Sequence, residues 1–239
     1  PVTGRLAYIF AGLGCPNGCD FCTTSHYFKQ RHIALIPTGK QIVERIVEIR
    51  RRHPDITSFF IQDEDFLLNE ERGRDFLEAI RPSDLPPLSI STYGSVKALS
   101  QYTPAELVEM GIDWVWIGYE GTRANFPKMK GKSYQELFSQ LRKHGIGILA
   151  SMILGLDYQT SKIIRQEFDA LMSLKPCACQ FLIYSPTWGT PLRERLTREG
   201  RMLPMSVEEF PKADAFMLAF THPHIGQDEM SSIQKEVYH

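Results

Sequence analysis

Short apolar runs alternate with longer amphipathic segments along almost the whole chain, and this alternation limits the possible folds more than any other feature. Each apolar run has the length of a buried strand, and the segments between them repeat their apolar side chains at helical spacing. Six strand–helix units in series predict a parallel sheet with helices packed against it. The predicted strands are Leu6–Ala11, Thr57–Gln62, Leu88–Thr92, Trp114–Gly118, Ile146–Leu154 and Cys179–Tyr184. The predicted helices are Lys40–Arg52, Glu71–Ile80, Pro104–Met110, Tyr134–His144 and Ile163–Leu174, followed by Val207–Phe220 and Asp228–Tyr238.

Periodicity alone allows these units to form either a doubly wound sheet or a barrel-like sheet. At 239 residues, the chain suits one large domain or two small ones. In both arrangements, functional groups lie at the carboxyl ends of the strands. The residues that directly follow each predicted strand are therefore the first candidates for chemistry.

The charge balance does not indicate a nucleic-acid or membrane-surface partner. The chain has 27 Lys and Arg against 28 Asp and Glu, a formal net charge of -1, so no strong field surrounds it. No apolar run reaches the ~20 residues that a membrane-spanning helix needs, and the first residues do not resemble a signal peptide. We therefore expect no nucleic-acid partner, no membrane span and a cytoplasmic location.

The five cysteines are an odd, clustered set, which argues against a framework of disulfides. Cys177 and Cys179 are two residues apart at the sixth predicted strand, and we expect both to pack in the core. His222 and His224 form an isolated pair, for which a core or surface position is more usual than metal binding.

The remaining three cysteines, Cys15, Cys19 and Cys22, lie in the segment GCPNGCDFC directly after the first predicted strand. Its Gly, Pro and Asn residues are turn formers, so a compact loop can aim three sulfurs at one metal centre. Thiolates select iron–sulfur clusters or zinc. Structural zinc would need a fourth ligand, which would be His26 or one of the two later cysteines. A third interpretation is that all three thiols are buried and bind nothing.

The pattern Cys-x-x-x-Cys-x-aromatic-Cys after a first strand resembles the signature of the radical S-adenosylmethionine (radical SAM) superfamily. Cys15, Cys19, Phe21 and Cys22 match each of its positions. The resemblance implies that the three cysteines are catalytic and hold three irons of a [4Fe–4S] cluster, leaving the fourth iron open for S-adenosylmethionine. It implies reductive cleavage of that cofactor to a 5′-deoxyadenosyl radical, with Phe21 beside it. It also implies an α/β fold, a partial (β/α)6 barrel that is open where a TIM barrel is closed, with C-terminal helices.

The acidic segment after the second strand, Asp63, Glu64 and Asp65, stands where many members of this family bind the methionine amino group. Its sequence departs from the usual Gly-Gly-Glu-Pro and looks more like the variant of cobalamin-associated members. Carboxylates suit an ammonium group, so the resemblance makes all three residues candidates for cofactor binding. The alternative is a solvated acidic loop at the start of the next helix.

Three later strand ends also resemble cofactor-binding elements of the family. Glu120 follows the fourth strand where the family often has a Glu near the cofactor; the alternative is an ordinary loop carboxylate. Ser151, Ile153 and Gly155 match an element beside the adenine, although Ser151 replaces a Gly. Tyr184 begins a segment similar to that of members that methylate or methylthiolate their substrates.

The resemblance is strongest to members with an N-terminal cobalamin-binding domain. We expect a radical SAM core at 1–200, a helical extension at 201–239 that is cut short, and a cobalamin-binding domain upstream of Pro1. The expected reaction is cobalamin-assisted methylation or rearrangement of a small molecule, with S-adenosylmethionine, a [4Fe–4S] cluster and cobalamin as cofactors. A flavodoxin or ferredoxin would donate electrons. The alternatives are a methylthiotransferase-like or other non-cobalamin radical SAM enzyme, and a zinc-stabilised binding module without catalysis.

Overall fold

A parallel sheet lies at the centre of the computed structural model, which describes residues 5–204 and 215–238. The strands are β1 (Arg5–Phe10), β2 (Gly12–Leu13), β3 (Ile33–Ala34), β4 (Ile56–Gln62), β5 (Ser89–Tyr93), β6 (Ile112–Gly118), β7 (Gly147–Leu154) and β8 (Ala178–Ile183). Six of them form the sheet in the order β1-β4-β5-β6-β7-β8, with every neighbouring pair parallel. The short β2 and β3 pair separately and antiparallel.

Helices lie between successive strands of the sheet, as the alternating pattern predicts, and two more follow β8. They are α1 (Thr23–Tyr27), α2 (Gly39–Arg52), α3 (Glu70–Ile80), α4 (Val96–Leu99), α5 (Pro104–Glu109), α6 (Tyr134–Lys143), α7 (Ser161–Ser173), α8 (Pro191–Arg198) and α9 (Gln227–Val237). Side-chain caps fix where several of them begin. Thr38 and Gln41 form a capping box at α2, and Thr103 and Glu106 form one at α5. None of the described helices is both long enough and apolar enough to cross a membrane.

The two faces of the sheet differ in burial. On one face, alternate side chains join the hydrophobic core with the helices and are fully buried, as Phe59, Val115 and Ile148 are. On the other, here called the open face, the alternate side chains stay partly or largely exposed, as Tyr8 and Trp116 do. An open face of this kind leaves room for other molecules beside the strands.

The sheet does not close into a barrel within the described residues. The end strands β1 and β8 pair with β4 and β7 respectively and not with each other. The predicted open (β/α)6 arrangement is therefore confirmed. Helix α9 covers the free edge of β8, where the Phe181 amide donates to the Tyr238 hydroxyl (2.9 Å) and Gln234 donates to the Phe181 carbonyl (3.1 Å).

The predicted helix Val207–Phe220 falls partly outside the described residues, and its described part is not helical. Phe220 forms an antiparallel bridge with Met202. The Leu203 amide donates to the Ala219 carbonyl (3.1 Å), flanking that bridge. Extended pairing satisfies these backbone groups while Phe220 is fully buried, so Phe220 serves a bridge rather than the end of a helix.

The expectation that both later cysteines pack in the core is wrong for Cys177. Cys177 is exposed in the loop before β8, where its amide donates to the Ile148 carbonyl (2.9 Å). Cys179 lies within the strand and packs against the core, and burial raises the pKa of its thiol. The sequence spacing gave both residues the same face, but the strand begins only after Cys177.

Candidate active site

A tight loop after β1 carries Cys15, Cys19 and Cys22 at the carboxyl edge of the sheet. Its backbone has positive φ at Gly14 (+80°), where a Cβ would collide with the backbone of the residues that follow α1, so glycine is required. Ser25 holds the loop together. Its hydroxyl donates to the Cys15 carbonyl (2.7 Å) and accepts from the amide of the glycine before Cys19 (2.9 Å).

The three cysteines line one cavity of about 180 Å³. Its walls come from the ends of successive strands, so that residues far apart in the sequence meet there. Among the residues expected at the site from the sequence, Cys15, Cys19, Phe21, Cys22, Glu64, Asp65 and Ser151 line this cavity, and Asp63, Glu120, Ile153, Gly155 and Tyr184 do not. The cavity also contains residues that the sequence did not indicate, among them Tyr93, Trp116 and Lys128.

Burial makes ionised thiols unfavourable in this cavity. It raises the pKa of Cys19 to about 12 and raises the pKa of Cys15 above its usual value, and repulsion from the neighbouring thiolates adds to both shifts. Three thiolates held here therefore need a positive centre beside them. Metal centres deprotonate the thiols that bind them, and thiolates select iron–sulfur clusters among such centres. The donor set thus fits an iron–sulfur cluster.

Structural zinc fits this arrangement less well. The His26 ring nitrogen lies 3.1 Å from the Cys19 carbonyl oxygen rather than beside the sulfurs. Cys177 and Cys179 lie at the amino end of β8, and because the strands are parallel this is the edge opposite to the cysteine loop. In the described part of the chain, no three His, Cys, Asp or Glu side chains are spaced to hold a single ion.

Asp63, the first residue of the acidic segment, is engaged in a buried ion pair. Its side chain is fully buried and accepts hydrogen bonds from Arg72 (2.7 Å) and from His32 (3.0 Å). Burial alone would raise the pKa of Asp63, but these two partners outweigh it and hold the pKa below its usual range. Arg72 also donates to the Ala11 and Ile36 carbonyls (2.7 and 2.9 Å), so the pair joins β4 to the loops beside β1.

Asp65 is also buried, but it faces the cavity and braces the cysteine loop. It accepts from the Ser95 amide (3.1 Å) and from the Asn17 side chain (3.3 Å), which itself lies 3.2 Å from the Cys15 sulfur. Burial raises the pKa of Asp65, although these hydrogen bonds oppose the shift. Asp65 therefore links the end of β4 to the position of a cysteine.

Glu64 is the one member of the acidic segment whose carboxylate is left available. It is half-buried, lines the cavity, and has no hydrogen bond or ion pair with any residue that the structure describes. Burial raises its pKa, and repulsion from Asp63 adds to the shift. A partly desolvated carboxylate beside a cavity gains most from a cationic ligand.

Glu120 does not line the cavity itself but pairs with Lys128, which does. Glu120 is buried, has an unusual positive φ (+60°) and forms an ion pair with Lys128, and its second carboxylate oxygen has no partner within residues 5–204 and 215–238. The Lys128 ammonium lines the cavity and lies 5.5 Å from the centre of the Phe21 ring. Burial would lower the pKa of Lys128, but attraction to Glu120 and Cys19 outweighs it and raises the pKa.

A buried carboxylate on α7, Glu167, holds the loop that follows Glu120. One of its oxygens accepts from the Thr122 amide (2.7 Å) and from the Tyr158 hydroxyl (3.0 Å), and the other accepts from Gln159 (2.7 Å). Glu167 is 1% exposed, and its hydrogen bond with Gln159 is fully buried, whereas those with Thr122 and Tyr158 are partly buried. The loops after β6 and β7 are thereby fixed to each other at the edge of the cavity.

We expect Glu167→Ala to lower the free energy of unfolding by about 2–3 kcal/mol, because the buried Gln159 amide and two partly buried donors lose their acceptor. The exposed Asp169 on the same helix is the control, and Asp169→Ala should stay within about 0.5 kcal/mol of the unsubstituted protein. Urea denaturation of both variants measures the difference. Equal losses in the two variants would contradict this role for Glu167.

The remaining predicted residues lie around the cavity without lining it, except Ser151. Ser151 borders the cavity, and Ile153 follows two residues later on β7 and is buried. Gly155 has φ +88°, and its amide donates to Gln159 (2.6 Å). Tyr184 donates to Asp20 (2.7 Å) and packs edge-on against Phe21 at 5.9 Å.

Comparison with known proteins shows that this chain matches a protein family. The profile of the radical SAM superfamily matches residues 9–171, which is more than half of the chain. The matched segment includes the cysteine loop, the acidic segment and the strand ends up to β7.

Several known proteins are similar to this chain. It is 25% identical to bacteriochlorophyllide d C-12(1)-methyltransferase of Chlorobaculum tepidum, over 98% of this chain and 52% of that protein. It is 29% identical to biotin synthase of Salinispora tropica, over 79% of this chain and 57% of that protein. The chain thus spans about half the length of the curated relatives it matches.

A solved structure shares the fold. The radical SAM methyltransferase TsrM from Kitasatospora setae, with cobalamin and a [4Fe–4S] cluster bound, superposes with a TM-score of 0.70 at 18% identity, over 84% of this chain and 39% of that one. At this identity, the likeness concerns the fold. Together with the match over residues 9–171, it leads to one assignment: the chain belongs to the radical SAM superfamily.

Proposed function

We propose that this chain binds a [4Fe–4S] cluster through Cys15, Cys19 and Cys22 and cleaves S-adenosylmethionine reductively to yield a 5′-deoxyadenosyl radical. The observation that carries the proposal is the meeting of the three thiols in one cavity of a chain from this family. When bound, the cluster supplies the electron for that cleavage and an open iron position for the cofactor.

Within the cavity, each side chain has a proposed part. Glu64 would accept hydrogen bonds from the methionine ammonium group, because its carboxylate borders the cavity and is otherwise unengaged. The ammonium of Lys128, held by Glu120, adds a positive charge near Cys19 and so favours its thiolate form. Phe21 would form an apolar wall of the cofactor site.

Residues of the last two strands complete the proposed cofactor site. Ser151 borders the cavity and offers a hydroxyl to the adenosine part of the cofactor. Ile153 and Gly155 shape the end of β7 behind it. Tyr184 packs edge-on against the Phe21 ring, with its hydroxyl fixed by Asp20.

We expect Glu64→Gln to weaken the binding of S-adenosylmethionine about 10- to 100-fold, because a charge-assisted hydrogen bond to the ammonium is lost. Equilibrium dialysis with labelled cofactor and the cluster-containing protein measures the change. Because burial raises the pKa of Glu64, the unsubstituted protein should lose affinity as the pH falls through a range above that of an ordinary Glu.

The control for Glu64→Gln is Glu71→Gln, which removes an exposed carboxylate from the first turn of α3. This variant should bind the cofactor as tightly as the unsubstituted protein. If the two variants lose affinity equally, the loss comes from the change in net charge, and Glu64 has no specific role in binding the cofactor.

For the overall reaction, we propose cobalamin-assisted methylation or rearrangement of a small-molecule substrate, with a cobalamin-binding domain upstream of this core. In support, a similar protein is a methyltransferase by name, and the TsrM structure contains cobalamin. The similarity to biotin synthase favours the second candidate, a methylthiotransferase-like or other radical SAM reaction without cobalamin. A flavodoxin or ferredoxin would serve as the electron donor. A cytoplasmic, reducing setting would suit the five free thiols.

Anaerobic purification of the full-length polypeptide tests these proposals together. Iron, sulfide and cobalt are measured in the same preparation, and 5′-deoxyadenosine is measured after addition of S-adenosylmethionine and a reductant. We expect equal amounts of iron and sulfide, and formation of 5′-deoxyadenosine. Protein-bound cobalt separates the cobalamin reaction from its alternative, and a fully assembled cluster without any 5′-deoxyadenosine would contradict the proposed function.

A further inference from the structure

Four aromatic side chains form a continuous row across the open face of the sheet, here called the aromatic row: Tyr8, Phe60, Tyr93 and Trp116. The ring centroids are 5.7 Å apart between Tyr8 and Phe60, and 5.3 Å apart in each of the next two pairs. The residues come from four adjacent strands, β1, β4, β5 and β6. The row therefore crosses three interstrand spacings, about 14 Å in all.

The row is accessible from the open face and carries polar groups that are not engaged. Tyr8 is 56% exposed, and the other three rings are partly exposed. The hydroxyls of Tyr8, Tyr93 and the nearby Ser91 have no hydrogen-bond partner among the residues described. Apolar walls with a few free hydrogen-bonding groups are typical of small-molecule sites, whereas a face buried against protein has its polar groups paired.

One end of the row reaches the cysteine cavity. Tyr93 and Trp116 line that cavity together with Cys15 and Cys19. The ring planes of successive members are inclined by 32°, 73° and 47°. The row thus presents both ring faces and ring edges, the two surfaces that attract another aromatic system.

We propose that the aromatic row binds an extended, planar, conjugated ring system and holds one edge of it at the cysteine cavity. The inference rests on the proposed function, since the bound molecule would be the substrate of that reaction. A single small ring would contact only one or two members of a row about 14 Å long. An aliphatic molecule would gain from apolar contact but not from the ring–ring attraction that four aromatic side chains supply.

Equilibrium dialysis with two carboxylate-bearing probes tests this proposal on the cluster-containing protein. The first probe, 1-pyrenebutyrate, has four fused planar aromatic rings, and the second, deoxycholate, also has four fused rings but none of them is aromatic. We expect selective binding of 1-pyrenebutyrate, and Phe60→Leu should weaken it about tenfold, which corresponds to about 1.4 kcal/mol. Phe60→Tyr, which keeps the ring, should bind within about twofold of the unsubstituted protein.

Two further variants guard against indirect effects. Phe216→Leu removes a half-exposed aromatic side chain that lies outside the sheet, and it should bind the probe normally. Tyr8→Leu changes a largely exposed member of the row, so it tests the row without disturbing the core. Unchanged 1-pyrenebutyrate affinity in both Phe60→Leu and Tyr8→Leu, or equal binding of deoxycholate, would overturn the proposal.

The inference and the proposed function fail in different ways. Formation of 5′-deoxyadenosine is measured on the same unsubstituted preparation, without any probe. An active protein that does not prefer 1-pyrenebutyrate overturns only the inference about the substrate. A protein that holds a complete cluster and binds the probe selectively, but forms no 5′-deoxyadenosine, overturns the proposed function. The inference that the aromatic row binds a planar ring system would then stand, but the bound molecule would not be a substrate of that reaction.

Discussion

We expect Cys19→Ala to reduce the formation of 5′-deoxyadenosine to the level measured without enzyme. Cys19 lines the cavity with the other two thiols, and its replacement would leave two of the three proposed cluster ligands. The iron content and the charge-transfer absorbance of the cluster should fall together with activity. The free energy of unfolding should change by less than about 1.5 kcal/mol, because Ala removes only the sulfur of a loop residue.

The matched control is Cys177→Ala, which removes an exposed thiol at the opposite edge of the sheet. It should retain its iron and its activity. A Cys19→Ala variant that still forms 5′-deoxyadenosine at the unsubstituted rate would exclude this loop as the cluster site. If Cys177→Ala also loses iron, the iron binds to cysteine thiols in general rather than at the cysteine loop.

We expect Arg72→Met to lower the free energy of unfolding by about 3–5 kcal/mol, because the substitution removes the buried guanidinium from Asp63 and leaves the buried carboxylate to His32. Both side chains are almost completely buried, at 2% and 0% exposure. The substitution also removes the donors to the Ala11 and Ile36 carbonyls. Denaturation in guanidinium chloride, with the midpoint and slope both recorded, measures the loss.

An exposed ion pair is the control for this prediction. Arg81 and Glu109 are both about half exposed, so Arg81→Met should cost less than about 1 kcal/mol. The double variant Arg72→Met/Asp63→Asn should recover part of the stability, because the unpaired charge is then absent. A loss in Arg72→Met no larger than in Arg81→Met would mean that water reaches Asp63.

Periodicity was a good guide to the sheet because burial acts on every second residue of a strand. Residues such as Phe59 and Ile61 must be apolar to pack beneath the helices, and this requirement leaves a regular trace in the sequence. The cysteine loop could be predicted from the sequence equally well, because its three thiols are close in the chain and local turns suffice to bring them together. These features depend on neighbours in the sequence.

The roles of side chains whose partners are distant in the sequence could not be predicted in this way. Asp63 and Glu64 are adjacent acidic residues, and nothing in the sequence distinguishes them. Their difference comes from Arg72 and His32, which reach Asp63 but leave Glu64 unpaired. Lys128 gave no signal either, because it lies in a single 3-10 turn after β6, Pro127–Met129, which is too short to leave a repeat in the sequence.

The aromatic row shows a further limit of sequence patterns. Each of its four members alone is an ordinary strand residue, since aromatic side chains are common in strands. Their alignment follows from the register between strands, in which Tyr8 stands opposite Phe60 and Tyr93 opposite Trp116. Register is a property of the folded sheet, and one residue of slip would turn a whole strand's side chains to the other face.

The order of the cavity walls along the chain has a consequence for how the protein is made. The cysteine loop belongs to the first strand–helix unit of this core, whereas Ser151, on another wall of the same cavity, belongs to the fifth. At typical rates of synthesis, roughly 6 to 26 s separate the appearance of Cys22 from that of Ser151. During this interval, the thiols are open to oxygen and to any metal ion in the cell. Delivery of iron and sulfide must therefore either wait for the sheet to finish folding or compete with thiol oxidation while the nascent chain is still incomplete.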